Sequence, residues 1–254
     1  MEIDVVRIEK EGKENKKDVV TDEVILTIHL NEQELVTLLC SPSNLKELST
    51  GFLYSTGMIT SLNDIESIFI NKKNMTSHIT LKGKDVSTDV IFKRVYTSGC
   101  GSGLIFYNMH DLVSRKVMET NGKIHHEKIT ELMKTFEKRS IQYKKTGGVH
   151  SAALSDGENI IAFNEDIGRH NAIDKVIGEA LYKNLNLEEL ILLTSGRISS
   201  DVVYKIQKMG SAIIISRCAP TSMAVKLADR FNVTLVGFAR GSRMNVYTAK
   251  ERIL

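Results

Sequence analysis

The chain has only three cysteines in 254 residues, Cys40, Cys100 and Cys218, widely spaced and odd in number. That pattern supports neither a disulfide framework nor a zinc site, and it suits a reducing compartment. Long apolar runs are also missing. No stretch approaches the roughly 18–20 consecutive apolar residues that a bilayer-spanning helix needs. The opening run Met1-Glu2-Ile3-Asp4 lacks the apolar segment of a secretory signal. A soluble, cytoplasmic protein with no membrane association is therefore expected. The formal net charge of +3 is too small to point to nucleic acid, and no nucleic-acid partner is expected.

Several familiar chemistries are absent as well. There is no G-x-x-x-x-G-K-[ST] run and no G-x-G-x-x-G after a strand, which removes the common nucleotide loops. Cys100 has no arginine six residues later, so a cysteine-phosphatase loop is excluded. A thiol hydrolase would need a dedicated histidine, a role open to His150 or His170 only if the fold brings one near.

What is present begins with Cys100 itself, in Tyr96-Thr97-Ser98-Gly99-Cys100-Gly101-Ser102-Gly103. Glycine disfavours helix and strand interiors alike. The run reads as an exposed loop whose one reactive atom is a thiol, or as a solvated loop with an incidental cysteine. Hydrophobic content of 42% and charged content of 26% are ordinary for a globular protein with one large domain or two modest ones.

Patterning predicts an α+β amino-terminal domain, 1–106, ending in the Cys100 loop. A strand is expected over 19–30 and a helix over 44–57, opened by Ser41-Pro42-Ser43 and capped by Gly57. Further strands are expected over 65–70, 78–81 and 86–95, with turns at 71–74 and 82–84. A helical connection, 107–142, follows with helices over 107–119 and 126–138. Ile129, Leu132, Met133 and Phe136 give the second helix a buried stripe.

From 143 to 254 the grammar changes to an α/β domain. A hairpin (150–154 and 159–163) turns at Ser155-Asp156-Gly157-Glu158. Helices over 169–183, 199–208 and 221–231 then alternate with strands over 190–194, 212–216 and 234–239. This order predicts a three-layer α/β/α arrangement around a sheet with a largely parallel part. Ligands bind such sheets outside the carboxyl ends of the strands.

Those ends are polar. One strand leads into Thr194-Ser195-Gly196-Arg197, then Ile198-Ser199-Ser200-Asp201 at a helix start. Another ends in Gly237-Phe238-Ala239-Arg240-Gly241-Ser242-Arg243, and the hairpin ends in Asn164-Glu165-Asp166-Ile167-Gly168-Arg169-His170-Asn171. Helix amino-termini, close-approach glycines and the forks of Arg169, Arg197, Arg240 and Arg243 make an anion site, fit for a ligand with several phosphates. Ser195 and Ser199 fit helix caps as well as ligand contacts. His170 fits a structural histidine or a proton donor titrating near neutrality.

Gly147-Gly148-Val149-His150-Ser151-Ala152-Ala153 and Glu165-Asp166-Ile167-Gly168-Arg169-His170-Asn171-Ala172-Ile173-Asp174-Lys175 resemble the formate dehydrogenase accessory sulfurtransferase family (FdhD). Ser195-Gly196-Arg197, Ala219-Pro220-Thr221, Gly237-Phe238-Ala239-Arg240, Gly51-Phe52-Leu53 and the Cys100 loop extend the resemblance over nearly the whole chain. It implies a cytidine-deaminase-like fold for the carboxyl-terminal domain, without the H-x-E and P-C-x-x-C zinc set of the deaminases. It also implies a sulfurtransferase that carries sulfur from a cysteine desulfurase to the molybdenum cofactor of formate dehydrogenase, the bis-molybdopterin guanine dinucleotide form. No resident metal is implied.

On that resemblance Cys100 is the catalytic persulfide carrier. Gly168, Arg169, His170, Asn171, Asp174, Ser195, Gly196, Arg197, Phe238, Ala239, Arg240, Gly241, Ser242 and Arg243 are the expected cofactor contacts. Asp166 and Asp174 fit either guanine recognition or pairing with Arg169 and Lys175. Cys40 and Cys218 are expected to be packed residues. The chain departs from the family at Gly103, where many members place a second cysteine of C-x-x-C. That leaves a single-thiol relay rather than a dithiol one. A homodimer suits a cofactor that carries two dinucleotides. Two other functions fit the anionic pocket: a non-catalytic molybdenum-cofactor chaperone, and a guanine-nucleotide-binding regulator. Both leave Cys100 incidental.

Overall fold

The computed structural model describes residues 1–83, 93–96, 104–107, 117–118 and 122–254, with backbone alone at 93–96 and 104–107. The chain opens with an antiparallel, largely exposed hairpin of β1 (Glu2–Glu9) and β2 (Gly12–Val19). Next come β3 (Val24–Leu30) and β4 (Gln33–Cys40), then α1 (Leu45–Ser55), β5 (Ile65–Asn71) and β6 (Thr76–Leu81). They form a four-stranded sheet in the order β4-β3-β6-β5. Period-two alternation turns Leu26, Ile28 and Leu30 inward, where they meet Leu48, Phe52 and Leu53 of α1 in one core. Helix α1 stops where expected: Thr56 is its carboxyl cap and Gly57 follows with φ 81°, a left-handed value that glycine adopts readily.

β7 (Lys93–Tyr96) and β8 (Leu104–Tyr107) pair antiparallel. Most of the expected strand 86–95 and of the expected helix 107–119 lies outside the described residues. Tyr107, where that helix was to begin, closes β8 instead.

The carboxyl-terminal part starts with α2 (His126–Arg139), which buries the predicted Ile129, Leu132, Met133 and Phe136, and a short α3 (Ile141–Thr146). Then follow β9 (His150–Ser155), β10 (Ile160–Asp166), α4 (Arg169–Tyr182), β11 (Ile191–Thr194), α5 (Ser200–Met209), β12 (Ile213–Ser216), α6 (Ser222–Arg230), β13 (Thr234–Arg240) and β14 (Arg243–Thr248). The sheet order is β10-β9-β11-β12-β13-β14. Only β11, β12 and β13 pair parallel to one another; the flanking pairs are antiparallel. β11 and β12 are buried along their whole length and β13 up to Gly237, as mainly apolar strands between helix layers must be.

Alternation along β10 divides its two faces. Asn164 and Asp166 face α4, while Phe163 meets Phe136 of α2 edge-on and Glu165 accepts the Gln142 and Tyr143 N–H groups at the start of α3, each at 2.9 Å. Right-handed crossovers place α4, α5 and α6 on a single face, opposite α2. This is a mixed α/β architecture. Among the described residues no helix is long and apolar enough to cross a membrane.

The two sheets are joined through α1 and α4, which cross antiparallel at two glycines. A Cβ on Gly51 would lie 1.8 Å from the Asp174 carbonyl oxygen, and one on Gly178 would lie 2.0 Å from that of Glu47. Beside this contact lies a buried polar seam. Lys175 Nζ, fully buried, is 2.6 Å from Asp166 Oδ2 and donates to the Ser41 carbonyl at 3.2 Å. Asp166 also accepts N–H groups from Ser41 (3.0 Å), Gly168 (2.9 Å) and Asn171 Nδ2 (3.0 Å). One carboxylate thus ties the loop after β4 to the start of α4.

Candidate functional site

The carboxyl ends of β11, β12 and β13 share an edge of the large sheet with the end of β10 and the start of β9. Two groups of the expected residues stand there. The first surrounds Gly196. Its amide donates to Thr194 Oγ1 at 3.1 Å and its carbonyl accepts the Ser216 hydroxyl at 2.6 Å. A Cβ here would come within 2.9 Å of Arg169 Cβ, so the stem of Arg169 lies directly over the glycine. Ser195 Oγ accepts the Ser151 N–H at 2.9 Å and sits 3.4 Å from His150 Nδ1. Arg197 is exposed.

His170 and Asp201, at the starts of α4 and α5, approach to 3.4 Å between Nε2 and Oδ2. Burial holds the His170 imidazole below its ordinary pKa. Asp201 offsets this in part, and Lys205 and Arg169 add to it. Burial pushes Asp201 the other way, but the approach of His170, the Ser200 hydrogen bond and the nearby Arg169 charge outweigh it and hold the carboxyl low. The pair is therefore a neutral imidazole beside an ionised carboxylate at neutral pH.

The second group is the β13–β14 turn, two strand spacings or about 10 Å along the edge. Phe238 has φ 52°, a left-handed value uncommon for an aromatic residue, and its N–H donates to the Cys218 carbonyl at 3.2 Å. Arg240 is exposed and donates through Nε to the Arg217 carbonyl at 2.8 Å. Gly241 (φ 58°), Ser242 and Arg243 form an exposed tip. Ala239 is 2% exposed, so this expected contact offers a ligand almost no surface.

Two expected cofactor contacts are spoken for elsewhere. Asp174 is 1% exposed; it accepts from Ser55 Oγ at 2.7 Å and pairs with Lys205 Nζ at 2.5 Å. Asn171 is buried and donates through Nδ2 to the Leu39 carbonyl at 2.7 Å and to Asp166. Both side chains bind the two sheets together because α4 turns this flank toward α1 and the end of β4. Asp166 likewise pairs with Lys175, one of the two roles open to it. Gly168 caps α4, with its amide on Asp166.

Sequence reasoning gave no binding role to His150, Asp201 or Arg217. A usable signal existed for His150: a Gly-Gly-Val-His run entering the first strand of a hairpin puts that histidine opposite the residue at the far strand's end, here Asp166.

Cys100 lies outside the described residues. Cys40 is fully buried, and burial plus the Asp166 charge push its thiol up to about 12, which keeps it protonated and unreactive. Cys218 is half-buried at the carboxyl edge. A cleft of about 660 Å³ opens at the opposite edge, lined by Tyr54, Leu185, Glu188, Lys208 and others, and holds none of the expected site residues. Among the described residues no cluster of three or more metal-ligating side chains is present.

The chain is 41% identical over 239 residues to a Bacillus pumilus protein named sulfur carrier protein FdhD, covering 94% of this chain and 91% of that one. It is 39% identical over 256 residues to a Bacillus subtilis protein of the same name, covering 98% and 96%. A crystal structure from Desulfotalea psychrophila, described as a formate dehydrogenase accessory protein, superposes with a TM-score of 0.82 at 26% identity over 100% of this chain and 99% of that one. The sequence pattern of the FdhD/NarQ family matches residues 21–254. The chain belongs to the FdhD/NarQ family.

Proposed function

We propose that this protein is a sulfurtransferase that loads sulfur on Cys100 and delivers it to the molybdenum cofactor destined for formate dehydrogenase. The observation that carries the reading is near full-length likeness to proteins named sulfur carrier protein. In the loading step the Cys100 thiolate attacks the terminal sulfur of a cysteine desulfurase persulfide. The donor's S–S bond breaks and its thiolate leaves, so one sulfane sulfur moves with no net redox change. In delivery a nucleophilic atom of the acceptor bonds the outer sulfur, the S–S bond on Cys100 breaks, and the Cys100 thiolate leaves.

The acceptor is bis-molybdopterin guanine dinucleotide, bound as substrate. Arg169, Arg197, Arg240 and Arg243 suit its phosphates, with Gly196 and Gly168 allowing close backbone approach. His170, held by Asp201, positions the start of α4 rather than carrying charge. The two arginine groups stand at strand ends two positions apart in the sheet, an arrangement suited to an extended dinucleotide. A cytoplasmic location and a homodimer belong to the same reading.

The test is complementation. In a bacterial host deleted for its own family member, the wild-type chain is expected to restore formate dehydrogenase activity, as is Cys218→Ala. Cys100→Ala is expected to restore less than about one hundredth of it, since no nucleophile remains to hold the sulfur. Full restoration by Cys100→Ala would favour a cofactor chaperone that uses no thiol.

A further inference from the structure

His150 opens β9 directly opposite Asp166 of β10. Residues paired in this way share a face, so the imidazole stands on the α4 side of the sheet at its carboxyl edge. Its charged and titratable neighbours come from three elements: Arg169 and His170 from α4, Arg197 from the loop after β11, and Asp166 from β10. The other carboxylate of β10, Glu165, is turned to the opposite face, where it caps α3.

The partner of His150 is Ser195. The Ser195 oxygen already accepts the Ser151 N–H at 2.9 Å, and His150 Nδ1 is 3.4 Å away. With the Ser195 hydroxyl donating to Nδ1, the neutral ring carries its own hydrogen on Nε2.

We propose that His150 and Ser195 are ligand residues of the anion site and act as a proton-gated pair: the ring takes up one proton at Nδ1 when a phosphate group binds. This rests on the reading of the carboxyl edge as the place where the cofactor's phosphates sit. The proton comes from solvent, and the only bond formed is N–H. Once Nδ1 is protonated it donates to Ser195 Oγ, and the hydroxyl hydrogen must swing away from the ring, where it becomes a donor for the ligand. One proton thus supplies a positive charge, a charge-assisted Nε2–H donor and a serine donor.

The electrostatics run in this direction. In the free protein burial holds the His150 imidazole below its ordinary value, and the Arg169 and Arg197 charges lower it further, against a smaller opposing effect of Asp166. A bound phosphate cancels the arginine charges and favours the imidazolium. Binding is tightest below the free-state value and weakens as pH rises through the bound-state value, with proton uptake between the two.

The experiment is calorimetric titration with guanosine diphosphate as probe, at neutral pH, in two buffers of different ionisation enthalpy. Wild type is expected to take up about one proton more than His150→Gln, which keeps a neutral donor but cannot charge. From slightly acid to slightly alkaline pH the wild-type affinity is expected to fall about tenfold more than that of the variant. The comparison subtracts the probe's own phosphate, which titrates near pH ~6. Binding with equal proton uptake by wild type and His150→Gln would overturn the proposal and leave the phosphate site standing. No binding of the probe by wild type at any pH would remove the phosphate site, and this pair with it.

Discussion

Gly178→Ala is expected to lower stability by about 3 kcal/mol, with a fall in melting temperature on the order of 10 °C. In an exposed helix the same change would gain about 1 kcal/mol in helix propensity, so the expected sign is opposite to the propensity rule. The reason is the crossing of α1 and α4. A Cβ at Gly178 would sit 2.0 Å from the Glu47 carbonyl oxygen, and the atom in the way is backbone, which no rotamer change can move. The helices must separate by more than an ångström, and Leu48 and Phe52 lose packing as they do. Gly51 faces Asp174 in the reciprocal way, so Gly51→Ala is expected to cost about as much. Both residues wedge the same contact, so the double variant is expected to lose clearly less than the sum of the single losses. Urea denaturation of the four proteins measures this. A neutral or stabilising Gly178→Ala would mean that the helices do not cross at this distance.

Lys175→Met is expected to cost about 3–5 kcal/mol. It keeps the length and most of the volume of the lysine stem but leaves the Asp166 carboxyl fully buried, with N–H donors and no counter-charge. Asp166→Asn in the Lys175→Met background removes the unpaired charge; its one amide oxygen, in the place of Oδ1, still accepts from the Gly168 N–H and Asn171 Nδ2, while the Ser41 N–H loses its acceptor on Oδ2. That double variant is expected to recover part of the loss, measured again by denaturation. If Lys175→Met alone were neutral, the pair would contribute no more than a surface ion pair does.

The same residues explain what was and was not legible in the sequence. The carboxyl-terminal strands were readable because each is a short apolar run between helical patterns, the mark of strands covered on both faces. The helix over 126–138 was readable from the spacing of Ile129, Leu132, Met133 and Phe136. By contrast, β1 and β2 carry charged and polar residues on both faces and bury almost nothing, so no apolar period announces them. β14 is an edge strand whose exposed and half-buried residues alternate around Asn245 and Arg243, a pattern too weak to separate from a loop.

At the candidate site, Gly168, Arg169, Gly196 and Arg197 stand out in the sequence as glycines and cations, and Ser195 as a polar residue beside them, at strand ends where open α/β sheets bind ligands. Asn171 and Asp174 belong to the same polar run but serve the contact between the sheets. A polar side chain at a helix start looks the same in sequence whether it faces a phosphate or a second layer of protein. Only the docking of α1 on α4, specified by Gly51 and Gly178, separates the two. His150 and Asp201 gave no such signal for the converse reason, since their placement beside the candidate site comes from a cross-strand register and from two helix starts brought side by side.

The central claim is that sulfur travels on Cys100, and intact-mass spectrometry tests it most directly. The protein is incubated with an active cysteine desulfurase, L-cysteine and pyridoxal phosphate, then weighed before and after reduction. Wild type, Cys40→Ser and Cys218→Ala are each expected to gain the mass of one sulfur atom, removed by reductant, while Cys100→Ala gains none. An adduct that persists on Cys100→Ala, or none on wild type with the desulfurase turning over, would contradict the account.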